Sequence, residues 1–331
     1  MVESVKVRLY KMLEENKNNY ISGADLAKKL MVSRNAIWKA VESLRADGYD
    51  ISAITNKGYR LNCGIDVFSQ TGIAGYIKTT SVFRVELRKS VTSTNTVLRE
   101  MAAKGAPEGL VLVAEEQTSG RGRQGRSFHS PAGHGVYFSV LLRPGSIASE
   151  AAALITSAAA VATARAIEDV IGVKVGIKWV NDLFMNGKKV CGILTEATFG
   201  METGLIESIV LGIGINVTRS ENGFTGILKD VATALTENTG KNDNKRCRLI
   251  AATLDYFWEY YNDLAGRKFL EEYRKRSIVI GNDILVISND DKKAAQAMAI
   301  DDDCRLIIQY ENGKTETLNS GEVSVRTMNN L

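Results

Sequence analysis

Gln117-Thr-Ser-Gly-Arg-Gly-Arg-Gln-Gly-Arg126 is the stretch whose reading decides the fold. Three glycines (Gly120, Gly122, Gly125) alternate with three arginines (Arg121, Arg123, Arg126). A backbone without Cβ atoms lets a ligand come close, and guanidinium forks match carboxylate and phosphate geometry. The loop suits a polyanion; the alternative is a plain basic surface turn, and three arginines in six residues favour the clamp. The glycines also spell G-x-G-x-x-G after a strand-like run, Leu110 to Ala114. A dinucleotide fingerprint must open a helix and be followed about 20 residues on by an acidic side chain. Here Pro131, Gly133 and Gly135 follow, and the region around residue 142 reads Leu-Leu-Arg-Pro, so a Rossmann fold is rejected.

Outward from the loop, the pattern is α/β. Phe83 to Val91 reads as a strand, and Thr94 to Lys104 as a helix capped by Ser93. Val136 to Leu142 is a nearly unbroken apolar strand, and Ser149 to Ile171 a long alanine-rich helix. Val175 to Trp179, Lys189 to Thr198 and Leu205 to Val217 add strands whose connections are too short for parallel crossovers, so the sheet is mixed. Helices return at Lys245 to Leu264 and Lys268 to Arg276. From Ile278 on, short alternating runs (Ile284 to Ile287, Ala297 to Ile300, Leu306 to Tyr310, Thr315 to Leu318, Val323 to Arg326) between Asn/Asp/Gly turns predict a small all-β barrel.

Two further stretches carry chemistry. Lys178-Trp-Val-Asn181-Asp182 ends one strand and Asn186-Gly-Lys188-Lys189-Val-Cys-Gly192 turns into the next, which puts Asp182 and Lys189 at one hairpin mouth. On a bare surface such a pair is worth little. Beside an anion loop it points to catalysis. In Gly212-Ile-Gly214-Ile-Asn216, two glycines in a strand mean close backbone approach or a bulge, and Asn216 can address a polar ligand. His129 stands near enough to the loop to touch a ligand. With only His129 and His134 present, a histidine metal site or Ser-His triad is disfavoured. No protein metal ligands are expected.

The N-terminal segment has its own pattern. Val5, Leu9, Met12 and Leu13 mark one helix; Ser22 and Ser33 cap two more, with Ile37, Val41 and Leu44 on one face of the third. That is a helix-turn-helix, and Tyr49 to Leu61, alternating about Asn56-Lys57-Gly58, adds a basic hairpin. Ser33, Arg34, Asn35, Lys39 and Lys57 are the candidate DNA contacts. A small protein-interaction domain is the alternative, and Trp38 is expected to pack rather than touch bases. Charge agrees with DNA: residues 1–62 hold eleven Lys and Arg against seven Asp and Glu, while the remainder is balanced, so the whole net charge of +4 sits there.

Composition sets the bounds. At 331 residues, 44% hydrophobic and 24% charged, the chain reads as a soluble protein of two or three domains. The expected ranges are 1–64, 65–276 and 277–331. No signal-peptide profile or membrane span is read, and four scattered cysteines (Cys63, Cys191, Cys247, Cys304) suit a reducing, cytoplasmic setting.

Ser93-Thr94-Asn95, the Gln117–Arg126 loop, Lys178 to Asp182, Lys189 to Gly192 and Gly212 to Asn216 resemble, in order and spacing, the bifunctional biotin protein ligases that also repress the biotin operon. The resemblance spans essentially the whole chain. It implies an N-terminal winged helix-turn-helix, an α/β catalytic domain and a C-terminal SH3-like barrel. It further implies synthesis of biotinyl-5'-AMP from biotin and ATP with Mg2+, transfer of biotin to a lysine of a biotin carboxyl carrier protein, operator DNA binding, and a homodimer formed on adenylate binding. By the same resemblance Ser93, Thr94, Asn95 and Gln117 bind biotin's head and ring, and Arg121, Gly122 and Arg123 hold carboxylate and phosphate. Lys189 contacts the reacting carboxyl and α-phosphate. Asp182 serves as base or orienter for the acceptor lysine, and Phe128, Asn181, Asn216 and Arg326 face the nucleotide. Phe128 stands where some members carry a tryptophan, Gln124 where some carry arginine, and Val180 where proline is common.

Those residue types fit the chemistry directly. Joining a carboxylate to the α-phosphorus of ATP brings two anions together, so charge neutralisation and alignment dominate, and no covalent enzyme intermediate is needed. A lipoate protein ligase shares this logic; the winged helix and arginine loop speak against it. A ligand-sensing transcription factor without catalysis is the other alternative, opposed by Lys189 and Asp182. Three like charges and three glycines also oppose a fixed conformation of the empty loop.

Overall fold

The computed structural model describes residues 3–62, 66–79, 81–144, 151–200, 205–220, 223–237, 244–288, 291–319 and 321–325. Serines place its first three helices. Ser4, Ser22 and Ser33 accept from the backbone N–H of Val7, Asp25 and Ala36, starting α1 (Val5–Glu15), α2 (Gly23–Leu30) and α3 (Arg34–Ala46). Each such cap is worth about 1 kcal/mol. Leu9, Leu13, Leu26, Leu30, Ile37, Val41 and Leu44 meet in a core separate from the rest. Met31, left-handed at φ 54°, makes the tight turn between α2 and α3. β1 (Ile51–Ile54) and β2 (Gly58–Leu61) pair antiparallel, and Ile21 bridges to Tyr59, which completes the winged helix-turn-helix. One expectation fails: Trp38 is 53% exposed and not a core residue. Ile37 and Val41 take the inward positions of α3, and Trp38 projects from its outer side.

A seven-stranded mixed sheet forms the centre, in the order β3-β4-β5-β9-β8-β7-β6. Its strands are β3 (Arg84–Val91), β4 (Leu110–Gln117), β5 (Gly135–Leu142), β6 (Gly176–Lys178), β7 (Asp182–Met185), β8 (Lys188–Phe199) and β9 (Ile206–Asn216). Only β3 and β4 run parallel, because the helix α5 (Thr94–Ala103) crosses over between them; the other pairs are antiparallel. Both faces are covered. Leu110 and Leu112 pack with Leu98 and Ala102 of α5, while Val111 and Val113 join the core under α6 (Ala151–Ile171) and α8 (Lys245–Tyr261). Burial on both sides explains the continuous apolar runs.

Among the described residues three further helices are α4 (Gln70–Tyr76), α7 (Leu228–Val231) and α9 (Leu270–Arg276). α4 is not legible in the sequence, since two glycines in seven residues hide it; Ser69 caps it and α1 and α8 bury it. The winged module rests on this helix. Tyr10 meets Tyr49 and Tyr76 at ring distances of 4.9 and 6.0 Å, Asn244 Nδ2 donates to Tyr10 Oη, and Tyr76 donates to Glu14. Burial pushes the Tyr10, Tyr49 and Tyr76 phenols up, so they stay neutral donors.

The C-terminal segment is a five-stranded antiparallel sheet, ordered β13-β12-β11-β10-β14. It comprises β10 (Asp283–Ser288), β11 (Asp291–Ile300), β12 (Leu306–Tyr310), β13 (Thr315–Leu318) and β14 (Glu322–Val325). Trp179 Nε1 donates to Cys304 O at 2.9 Å and Ile278 N to Ile177 O, fastening it to the central sheet. Arg326, and the residues 145–150 that include the expected helix start at Ser149, lie outside the described residues.

Candidate active site

A cavity of about 540 Å³ opens between the arginine loop, the β7–β8 hairpin, the end of β9 and the C-terminal sheet. Ser93, Thr94, Asn95, Gln117, Arg121, Gly122, Arg123, Phe128, Asn181, Asp182, Lys189 and Asn216 all line it, as does His129. Gly321, Val323 and Ser324 bring the C-terminal segment to its rim. The loop holds a single 3-10 turn at Arg123–Gly125 and leads into β5 rather than into an α-helix, as the rejection of a dinucleotide fingerprint requires.

The inner end is a polar network of side chains bonded to one another. Thr94 N and Oγ1 donate to Gln117 Oε1 at 2.8 and 3.1 Å, and Gln117 Nε2 donates to Ser130 Oγ at 2.8 Å. Asn95 Nδ2 donates to Leu194 O and Glu196 Oε2. Ser139 Oγ lies 2.7 Å from Thr94 Oγ1 and 2.6 Å from Asn95 Oδ1; its one proton serves either. Ser93 holds the N-cap position of α5, yet its hydroxyl makes no cap hydrogen bond.

Gly212 and Gly214 explain themselves here. A Cβ on Gly212 would stand 2.0 Å from Asn95 Oδ1, and one on Gly214 would stand 2.5 Å from the Phe128 ring. β9 keeps its register at both, so neither marks a bulge. The close approach is by the protein's own side chains, which the missing Cβ atoms admit into the cavity wall. Phe128 packs edge-on to Tyr137 at 6.3 Å, and Asn216 Nδ2 donates to Thr233 O.

At the outer end each cation has a local partner. Lys189 Nζ stands 2.7 Å from Asp182 Oδ1, which is buried and takes no hydrogen bond of good geometry, so the contact is one of charge. Asp182 begins β7 rather than ending β6, but the expected juxtaposition holds. Arg121 Nη2 lies 3.1 Å from Glu196 Oε1, and Arg123 Nη1 donates to Asn181 Oδ1 at 3.1 Å. Asn181 is held in turn by donating to Ile193 O. The loop carries its own bonds, Gly122 N to Arg126 O and Phe128 N to Gly120 O. Repulsion among the arginines is thus offset within the chain. Burial pushes the Cys191 thiol up, so no thiolate competes for Lys189.

Glu196, Ser130 and Ser139 escape the sequence reading. Ser139 did leave a signal, as the one serine in the apolar run of β5. Glu196 left none: it pairs with Arg121 and Arg99 and supports Asn95 only because β8 passes under the loop. Away from the cavity, Ser33, Arg34, Asn35, Lys39 and Lys57 are all exposed on the winged module, with the Ser33 hydroxyl engaged as a cap.

Fold and cavity together define a small-molecule, anion-binding α/β domain joined to a winged helix-turn-helix. Residues 87–216 match the biotin/lipoate A/B protein ligase family, residues 7–60 an HTH domain, and residues 279–326 the biotin protein ligase C-terminal domain. The chain is 34% identical over 317 residues to the bifunctional ligase/repressor BirA of Bacillus subtilis, covering 95% of this chain and 96% of that one. It is 27% identical to the Escherichia coli bifunctional ligase/repressor BirA, over 92% and 93%. A solved biotin protein ligase from Aquifex aeolicus, in complex with biotin and ATP, superposes with a TM-score of 0.60 at 26% identity, covering 73% of this chain and 98% of that one. The chain belongs to the biotin protein ligase family, in its bifunctional ligase/repressor form.

Proposed function

We infer that this chain activates biotin with ATP to biotinyl-5'-AMP, transfers biotin to a lysine of a biotin carboxyl carrier protein, and represses biotin genes through its winged helix. One observation carries the reading: Arg121, Arg123 and Lys189 converge on a single cavity whose buried wall is the Thr94, Asn95 and Gln117 network, with Glu196 bridging Asn95 and Arg121. A ligand with a polar ring system at one end and a carboxylate at the other fits that polarity.

Ser93, Thr94, Asn95 and Gln117 bind biotin's ureido head and ring, and Gly122 with Arg121 and Arg123 brings the carboxylate and α-phosphate together. Lys189 stabilises the charge that develops between them. Phe128 offers its face to adenine, Asn181 and Asn216 line the nucleotide side, and Arg326 completes it from the C-terminal segment. Asp182 orients the acceptor lysine and takes its proton. Among the described residues no cluster of three or more His, Cys, Asp or Glu is placed to hold a metal. A Mg2+ would arrive with ATP, held by the triphosphate oxygens, and would neutralise phosphate charge.

The domains divide at about residues 64 and 276, and the C-terminal sheet curls into an SH3-like barrel. The protein works in the cytoplasm as a homodimer when the adenylate is bound; the relatives' repressor function and the two half-sites a winged-helix dimer engages support this. Among the described residues no helix is long and apolar enough to cross a membrane. The test is mass spectrometry of a biotin carboxyl carrier domain incubated with the protein, biotin and MgATP. One biotinyl group on its acceptor lysine is expected, and an unmodified carrier overturns the reading.

A further inference from the structure

Trp38 is one of three tryptophans, and its setting differs from the others. Trp179 is buried and Trp258 half-buried, while Trp38 is 53% exposed. Among the described residues its ring stacks on no other aromatic and its indole N–H makes no hydrogen bond, although tryptophan N–H groups usually find partners where the ring packs. A core role is excluded because Ile37, Ala40, Val41 and Leu44 fill the inward positions of α3. Trp38 stands one turn beyond Arg34 and Asn35, and next to Lys39, on the solvent side. Glu42, four residues after Trp38 on α3, is paired with Arg45 at 2.7 Å.

An unpartnered indole among exposed cations calls for an occupant that is anionic outside and apolar where the ring would reach. Duplex DNA has this combination, with phosphates along the groove edge and the thymine methyl on its floor. Resting on the DNA-binding reading above, we propose that Trp38 reads sequence: its indole lies in the major groove against thymine C5-methyl groups, while Arg34 and Lys39 engage phosphates. The apolar contact specifies, and the cations position.

The probe is a duplex selected by the wild-type protein, with biotin and ATP present, from a random library; a scrambled duplex of the same composition is the control. Trp38→Ala weakens the selected duplex about 10- to 100-fold, the range of one good base contact, and the scrambled one by less than about twofold. Trp38→Phe restores most of the loss. The slope of log affinity against log salt is unchanged, because no phosphate contact is removed. Replacing thymine by uracil in the selected duplex weakens the wild type and leaves Trp38→Ala unaffected, and acrylamide quenching of the exposed indole falls on binding. A helical circular-dichroism signal and thermal unfolding equal to wild type confirm that the winged module folds, and equal biotin transfer that the catalytic domain is intact. Equal binding of the selected duplex by wild type and Trp38→Ala overturns the proposal, as does an equal loss on both duplexes. A loss of self-association without DNA would assign the indole to a contact between copies and overturn it too. If the wild type selects no duplex at all, the DNA-binding reading itself falls.

Discussion

The cavity and the face of α3 use the same cations in opposite ways. In the cavity Arg121, Arg123 and Lys189 are held by Glu196, Asn181 and Asp182. On the winged module Arg34, Lys39 and Lys57 are exposed and make no ion pair among the described residues. A small ligand in a confined site needs its donors aimed in advance, because preorganisation is what lowers a barrier. A duplex with many phosphates gains affinity from counterion release, and free surface cations suffice. The difference predicts that the two sites fail differently when a cation is lost.

The largest effect belongs to the cavity. Lys189→Ala is expected to slow biotinyl-AMP formation by roughly 10²–10³, the cost of one preorganised charge donor, as read by single-turnover kinetics. Near-normal formation would make Lys189 a surface partner of Asp182 and erase the contrast. On the winged module the loss should be milder and spread over sequences. Arg34→Ala and Lys57→Ala each lower the magnitude of the salt slope of DNA binding by about one, with biotin transfer unchanged. Unchanged slopes would remove these residues from the phosphate contacts.

How much of this was legible depended on whether a feature was local. Ser22, Ser33 and the Ile37-Val41-Leu44 stripe announce the helix-turn-helix because caps and periodicity act within a few residues. Asp182 and Lys189 were legible as a pair because a hairpin joins them. Glu196 was not, since 75 residues separate it from Arg121 along the chain and only strand β8 under the loop makes them neighbours. Asn244, which donates to Tyr10 from 234 residues further along the chain, was hidden for the same reason. Trp38 misled in the other direction: large aromatics are usually buried, and only the course of α3 in the fold shows this one outside.

The smallest effect tests the inner end of the cavity. Ser139→Ala removes the hydroxyl shared by Thr94 and Asn95. At about 1 kcal/mol for a hydrogen bond, the KM for biotin should rise about fivefold while kcat holds. A fall in kcat alone would place Ser139 with the outer, charged end instead.

The account stands most directly on biotin-dependent exchange of labelled pyrophosphate into ATP, measured with the intact chain and with lipoate as the competing acid. The polar network of Thr94, Asn95 and Gln117 at the closed end and the cations at the open end predict exchange with biotin, none with lipoate, and near-complete loss in Lys189→Ala. Exchange that proceeds equally with lipoate, or fails with biotin, would contradict it.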